Sequence, residues 1–483
     1  MNFKEKYGSL PVQMKASFWF LICSFLQKGI SFITTPIFTR ILSTSEYGDY
    51  SVFNSWLQII TPIVSLNLYS GVYAQGVVKF DDDRKQFSSS LQGLTLTLIS
   101  IWTVIYLCFR NSFNNLFSLT TIQMLCMFTI IWASGSFNFW SINERVDFKY
   151  NKLVVLTLIV SIVQPTLSIA LILTSSDKVT ARILGMAITQ FMFYIGTFIK
   201  QMRDGKKFYS KKYWSYALKF NIPLLPHYLS MTVLNSSDRI MIKSMVGASE
   251  AGIYNLAYSV SMIMSLFNTA LLQTVEPWIY RKLKDKKGDE LEKVAYPTFI
   301  MIAGVNLLLI LLAPEVIRIF APAKYYEAIW IVPSVALSVF FTYLYSFFAT
   351  FEFYYERTQY IAGATIGGAL LNIVLNYIFI KQYGYIAAGY TTLFSYMLFA
   401  FLHYHFMRKI CKEKLDDLHP YKAKIIVGIG AVSLVLGFGI MALYTHPVIR
   451  YSIFAGLIIL SILFRNKIKM MLEKLVNMRK QKG

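Results

Sequence analysis

Apolar and polar positions alternate along this chain on a coarse scale. Runs of about 20 apolar residues, the length a helix needs to cross about 30 Å of hydrocarbon, are separated by short polar stretches. Fourteen such runs occur, near 17–39, 50–70, 88–109, 119–140, 153–174, 182–199, 217–243, 252–275, 294–313, 328–352, 360–380, 385–406, 424–444 and 447–464. A bilayer gives backbone groups no partners, so a spanning segment must be a helix or part of a closed barrel, and these runs are about twice the length of a barrel strand. The pattern predicts an all-α integral membrane protein with about fourteen transmembrane helices.

The runs also repeat. Residues 40 to 50 read Arg-Ile-Leu-Ser-Thr-Ser-Glu-Tyr-Gly-Asp-Tyr, and 204 positions later residues 244 to 254 read Ser-Met-Val-Gly-Ala-Ser-Glu-Ala-Gly-Ile-Tyr. Both contain Ser-Glu-x-Gly-x-Tyr, and each closes one apolar run and opens the next. The same shift lays runs one to six over runs seven to twelve. The expected organisation is a six-helix bundle in 1–210, a second in 211–415, and two further helices with a basic amphipathic tail in 416–483. Six is even, so both copies insert the same way round, and a cleft between such halves suits alternating access.

Composition agrees: 55% hydrophobic and 16% aromatic residues with a mean hydropathy of +0.50 exceed what a soluble chain of 483 residues hides in its cores. Charge needs its positions. Forty-seven Lys and Arg against 25 Asp and Glu give +22, which taken alone points to nucleic acid. With the N-terminus placed inside, 35 of the 47 fall in the N-terminus, the tail and the loops after even-numbered runs. Ten fall on the other side, and Lys28 and Lys219 lie within runs. The asymmetry puts both termini in the cytoplasm and removes the support for nucleic-acid binding. Clusters such as Lys206, Lys207, Lys211 and Lys212 are expected at anionic headgroups of the membrane lipids, and Asn466 to Gly483 as an interfacial helix. The first run is expected to be a helix and not a cleaved signal, because it carries Gln27 and Lys28 in its middle and lacks an Ala-x-Ala site. Four cysteines, three of them within runs and Cys411 in a loop, outline neither a disulfide framework nor a metal site. No cofactor is expected.

Ionised side chains inside spans carry the chemistry, since each costs several kcal/mol unless it faces a polar cavity or a partner. Lys28 sits mid-span, on a stripe with Ser24, Ser31, Thr35 and Thr39 at helical spacing. That stripe reads as cavity lining, or alternatively as a packing lysine with an acidic partner. In the matching seventh run, His227, Ser230 and Asp238 share a broad face, with Arg239 beside Asp238 and Lys243 at the outer end. Asp238 and Arg239 also fit a plain salt bridge, and His227 a packing histidine. Glu276 and Glu352, at the inner ends of runs eight and ten, are candidates for a coupling ion or ordinary interfacial charges. Pro36, Pro62, Pro165, Pro223 and Pro226 lie within spans and permit kinks. No Gly-x-x-x-x-Gly-Lys-Ser/Thr loop for ATP occurs. Asp81-Asp82-Asp83 satisfies the Asp-x-Asp spacing of a metal-bound nucleotide-sugar, but in a loop of under twenty residues it reads as a solvated turn.

Arg40 to Tyr50 resembles the element after the first helix of polysaccharide flippases of the Wzx type, in the multidrug/oligosaccharidyl-lipid/polysaccharide exporter superfamily. Pro223 and Pro226 through Asp238-Arg239 to Tyr254 is similar to that family's stronger signature. The resemblance implies a MATE-like fold in the multi-pass cell membrane of a bacterium, and no enzymatic activity. It implies a carrier that flips undecaprenyl-pyrophosphate-linked oligosaccharide repeat units to the outer leaflet for capsule or O-antigen assembly. Lys28, Arg40, Arg239 and Lys243 are then the candidate head-group cations. Asp238, His227, Glu276 and Glu352 are candidates for coupling to H+ or Na+. A polysaccharide polymerase and an initiating glycosyltransferase are the expected protein partners. The alternatives are an ion-coupled multidrug exporter of the same superfamily and a non-transporting scaffold, with a membrane glycosyltransferase or polymerase further behind.

Overall fold

The computed structural model describes residues 11–285 and 290–466, so the basic tail expected to be interfacial lies outside the described residues. Among them, all regular structure is helical. Each of the fourteen apolar runs falls on a helix: α1 Val12–Ile41, α2 Thr44–Ser65, α3 Arg84–Cys108, α4 Thr121–Val146, α5 Tyr150–Thr174, α6 Lys178–Gly205 and α7 Leu225–Met245. They continue as α8 Ala248–Lys284, with a turn after Ser261, α9 Glu292–Leu311, α10 Val332–Tyr354, α11 Thr358–Tyr383, α12 Ala387–Lys414, α13 Ala423–Ala442 and α14 Pro447–Leu463. Ten of these are long and apolar enough to cross a membrane. α2, α7 and α12 are as long but more polar, and α14 has 17 residues. The more polar helices are also where several of the buried polar groups described below reside.

Several boundaries shift from their expected places for local reasons. α2 starts at Thr44 because Ser43 caps it: its hydroxyl accepts from the Glu46 N–H at 3.1 Å, and the Glu46 carboxylate accepts from the Ser43 N–H at 2.6 Å. The seventh run is broken by a turn of 3₁₀ helix at Ile222–Leu224, where Pro223 lacks an N–H to donate. Lys211–Asn221 precedes it, and Asn221 donates to the carbonyls of Leu66 and Asn67 at 2.9 and 3.0 Å. Cys411, expected in a loop, is buried in the last turn of α12.

The chain packs as two compact units, 1–240 and 241–483. In the first, α6 lies against α3, α4 and α5, and α1 rests on α5. Close approach is made possible by glycine: a Cβ on Gly185 of α6 would fall 2.5–2.7 Å from the Ser168 hydroxyl and backbone of α5, and one on Gly205 2.0 Å from the Lys85 carbonyl of α3. Phe53, Met127, Ile131 and Ile183 form one apolar core, and Tyr73, Phe87, Leu91 and Phe139 another. In the second unit α10 is central, with 83% of its apolar window buried against 11% for α1, and it packs on α8, α9, α11, α12 and α13. Arg450 pins α14 to this unit. It donates to the Leu311 carbonyl at 2.8 Å and grips the Glu315 carboxylate with both terminal nitrogens.

The repeat is visible in the element boundaries themselves. α1 and α7 end at Ile41 and Met245, and α2 and α8 begin at Thr44 and Ala248, each pair 204 residues apart. Ser-Glu-x-Gly-x-Tyr is therefore first a helix-start signal, with Glu46 and Glu250 each in a first turn, where an acid favours the helix dipole.

Candidate functional site

The stripe on α1 runs from open to covered. Ser24, Lys28 and Ser31 are exposed, Thr35 is half-buried and Thr39 fully buried. The hydroxyls of Ser31, Thr35 and Thr39 bond back to the Gln27, Ser31 and Pro36 carbonyls at 3.2, 2.9 and 3.1 Å. With their hydroxyls bonded inside the helix, Ser31 and Thr35 add a polar surface to it. Lys28 thus stands on an uncovered helix face. Arg40 is exposed at the end of α1 and donates to the Pro36 carbonyl at 2.8 Å.

Where α1 turns into α2, the first unit contains a cation that the sequence reading did not single out. The Arg182 guanidinium of α6 lies 3.8 Å from the ring centroid of Phe38 and 3.5 Å from that of Tyr50. Its neighbour Lys178 donates to the Ile41 carbonyl at 3.2 Å. The last tyrosine of the repeated motif in its first copy therefore serves to hold an arginine, and the α1–α2 corner is bound to α6. Sequence reasoning missed Arg182 because it counted this residue among the loop charges, whereas α6 begins four residues earlier.

On α7, Asp238 and Arg239 are both buried, at 1% and 7% exposure. Arg239 donates to the Asn235 carbonyl at 2.6 Å, which folds its guanidinium back along its own helix. Lys243 follows one turn on and is half-buried; His227 is half-buried about three turns earlier and beside the Tyr228 ring. These positions form one charged segment on a single helix.

In the second unit, Glu276 of α8 is half-buried and accepts from the Tyr280 hydroxyl at 2.7 Å. Glu352 is fully buried in the last turn of α10, and its Oε1 lies 2.7 Å from Nδ1 of His403 on α12. His403 was not among the residues chosen from sequence. Its signal was a histidine inside an apolar run, and its partner is about 50 residues away. Also unanticipated is a ladder of neutral polar groups between α11 and α12. Asn372 donates to the Ser395 hydroxyl at 3.4 Å and Asn376 to the Asn372 side-chain oxygen at 3.1 Å, while the Thr391 hydroxyl donates to Asn376. The first unit carries a counterpart in which Gln92 donates to Gln201 at 2.6 Å, and Tyr73, Ser88 and Asn143 bond one another.

Asp81-Asp82-Asp83 lies on the rim of a polar cavity of about 720 Å³ at one end of α3, α4 and α6. Two of its carboxylates face bases, Asp81 toward Arg84 at 3.9 Å and Asp83 toward Lys212 at 3.8 Å. Deeper in, Asp147 accepts from Arg84 at 2.7 Å and from Lys149 at 2.8 Å. Partial burial works to raise the Asp147 pKa, but these two bases outweigh it and hold the carboxyl below its ordinary value. The triplet is part of an ionic rim of mixed sign, in which Asp81 and Asp83 face bases of this chain.

Comparison with known proteins adds three findings. A family model described as polysaccharide biosynthesis protein matches residues 14–283. Lsg locus putative protein 1 of Haemophilus influenzae is 21% identical over 384 residues, which covers 74% of this chain and 89% of that protein; an uncharacterized membrane protein of the same organism is 22% identical over 365 residues. Among solved structures, the lipid II flippase MurJ in an inward closed conformation matches with a TM-score of 0.68 at 17% identity, over 92% of this chain and 99% of that one. An inward-facing multidrug resistance MATE family transporter of the MOP superfamily matches at 0.64 and 14%, over 80% and 95%. The fold is thus that shared by MurJ and the MATE transporters.

Proposed function

The chain belongs to the polysaccharide biosynthesis protein family, and from that premise we propose that it flips undecaprenyl-pyrophosphate-linked oligosaccharide repeat units from the cytoplasmic to the outer leaflet. The single observation that carries this reading is the family match over 14–283, on a chain whose fold is shared by MurJ and the MATE transporters. Its setting is the cell membrane of a bacterium, with both termini cytoplasmic, and its end use is capsule or O-antigen assembly. The two halves 1–210 and 211–415 alternate access, and the last two helices complete the bundle.

A pyrophosphate-sugar head cannot cross hydrocarbon unaided. Lysine and arginine donors replace its hydration with charge-assisted hydrogen bonds, and the polyprenyl tail stays in lipid. Lys28, Arg40, Arg239 and Lys243 are the cations assigned to that head. The open part of the α1 stripe supports the assignment of Lys28, which stands on a helix face that the rest of its unit leaves uncovered. Removal of the flipped units by an outer-leaflet polymerase, or coupling to H+ or Na+, supplies direction.

The test expresses the chain and its Lys28→Ala variant at equal level in cells lacking their own flippase, and reads lipid-linked repeat units in each leaflet and surface polysaccharide. Export by the wild type and retention on the cytoplasmic side in the variant are expected. Equal export by both would remove Lys28 from the path, and no export by the wild type across several sugar backgrounds would overturn the flippase reading in favour of a drug exporter or a scaffold.

A further inference from the structure

We infer that Glu352 and His403 together form a one-proton binding site, the point at which the carrier takes up its coupling ion; the coupling part of this rests on the transport reading above. The two side chains are 0% and 2% exposed and share a 2.7 Å contact between Oε1 and Nδ1. The other carboxylate oxygen, Oε2, is buried with no hydrogen-bond partner among the described residues. Buried polar atoms are nearly always paired, so a carboxylate with one orphan oxygen is not a finished structural salt bridge. It is a group whose second oxygen has capacity for a proton.

The charge balance gives the pair two forms. With one proton the pair is neutral overall, whether the proton sits on the imidazole or on the carboxyl. Without it the pair carries one negative charge, because the carboxylate is ionised and the imidazole neutral. A single uncompensated charge buried in protein costs several kcal/mol, so the closed packing of α10 on α12 holds the protonated pair. Loss of the proton to water favours arrangements in which the carboxylate is wetted. The site therefore binds a proton in one arrangement of α10 and α12 and releases it in another, which is what coupling requires.

The neighbourhood selects a proton over a metal ion. His403 is walled by rings, with the centroids of Tyr345, Phe399 and Phe406 at 5.4, 6.0 and 6.3 Å, and these offer no ligand set for Na+, a cation that is held by several oxygens. His403 is the ionisable side chain in direct contact with Glu352. Several ionisable groups on the other elements against α10 have partners of their own. Glu276 of α8 takes the Tyr280 hydroxyl at 2.7 Å, and Arg357, just before α11, pairs with Glu413 at 2.6 Å. The Tyr296 hydroxyl of α9 accepts the N–H of Lys422, ahead of α13, at 2.7 Å. On α12 itself, Arg408 pairs with Asp417 at 2.9 Å.

Two measurements on the full chain in lipid test this. Proton binding by wild type and by the Glu352→Gln/His403→Gln double variant is compared by titration in nanodiscs. A difference of one proton per chain over the titrated range is expected, and no difference overturns the site. Inside-out vesicles loaded with lipid-linked repeat units from the producing cells are then held at a one-unit pH difference. Coupling to one proton shifts the wild-type leaflet ratio about tenfold. The double variant is expected to equilibrate the units with less than about a twofold shift; Glu352→Gln, which preserves volume and one hydrogen bond, guards against misfolding. A wild type that moves the units to a ratio blind to pH refutes coupling and leaves the flippase reading intact. A wild type that binds the proton but moves no units refutes the flippase reading and the coupling role while retaining the site.

Discussion

Arg182 gives the sharpest stability prediction, because its value to the fold can be separated from the cost of burying it. The guanidinium is 9% exposed and sits 3.8 and 3.5 Å from the Phe38 and Tyr50 centroids, with Tyr47 at 5.4 Å. A desolvated cation over an aromatic face gains about 2 kcal/mol, and here two faces contribute. Opposing this, a buried cation has a desolvation cost of several kcal/mol. Arg182→Leu alone is therefore a difference of two similar quantities, and its sign carries little information. A double-mutant cycle cancels the desolvation. Arg182→Leu, Tyr50→Leu and the combined variant, scored by reversible unfolding in mild detergent, should give a coupling of about 1 to 2 kcal/mol. Arg182→Lys should lose most of that coupling despite keeping the charge, since an ammonium lacks the planar guanidinium face that stacks on a ring. Additive losses, with coupling within about 0.3 kcal/mol, would refute the idea that the motif tyrosine exists to hold this arginine.

Three further outcomes follow from the geometry. Gly185→Ala places a methyl 2.5–2.7 Å from the Ser168 hydroxyl and backbone, and should cost about 1–3 kcal/mol through overpacking of α5 on α6; Gly196→Ala, where a Cβ meets nothing within 4 Å, should be neutral or stabilising in the same thermal scan. Arg450→Ala leaves Glu315 without its bidentate partner, and since the Glu315 side chain is 26% exposed and can turn to water, the loss should be about 1–3 kcal/mol, below the 3–5 of a fully buried pair, read as earlier proteolysis between α9 and α14. Asp147 has its pKa depressed by Lys149 and Arg84 against the effect of burial, so its contribution is full above the ordinary carboxylate value and lost as pH falls through the depressed one. The stability gap between wild type and Asp147→Asn, from apparent melting midpoints, should be full at about pH 6 and begin to close only as pH falls below the ordinary carboxylate value of about 4.

The span pattern was legible because hydrophobic thickness imposes one length on every crossing helix, and length and apolarity are local properties. All fourteen runs fall on helices for that reason, and the repeat showed at its sharpest where a capping box fixes a helix start to the residue, at Ser43 and Glu46. The buried polar pairs were harder to read because pairing is not local. Asn372 and Asn376 sit four apart in an apolar run, which places them on one face of α11. Nothing in that spacing says that Thr391 and Ser395 of α12 face them, and the same holds for Glu352 and His403, 51 residues apart. Arg182 was misread for a related reason: a charge near the end of a run looks like a loop charge until the helix is seen to begin at Lys178 and the rings of Phe38 and Tyr50 are seen to enclose it. What these misses share is a polar residue inside an otherwise apolar helix whose partner comes from a different helix. In a membrane such a residue has few ways to persist other than with a partner or beside water. A lone His, Asn or Arg within a run is therefore best read as half of a pair, with the other half to be sought in the neighbouring runs.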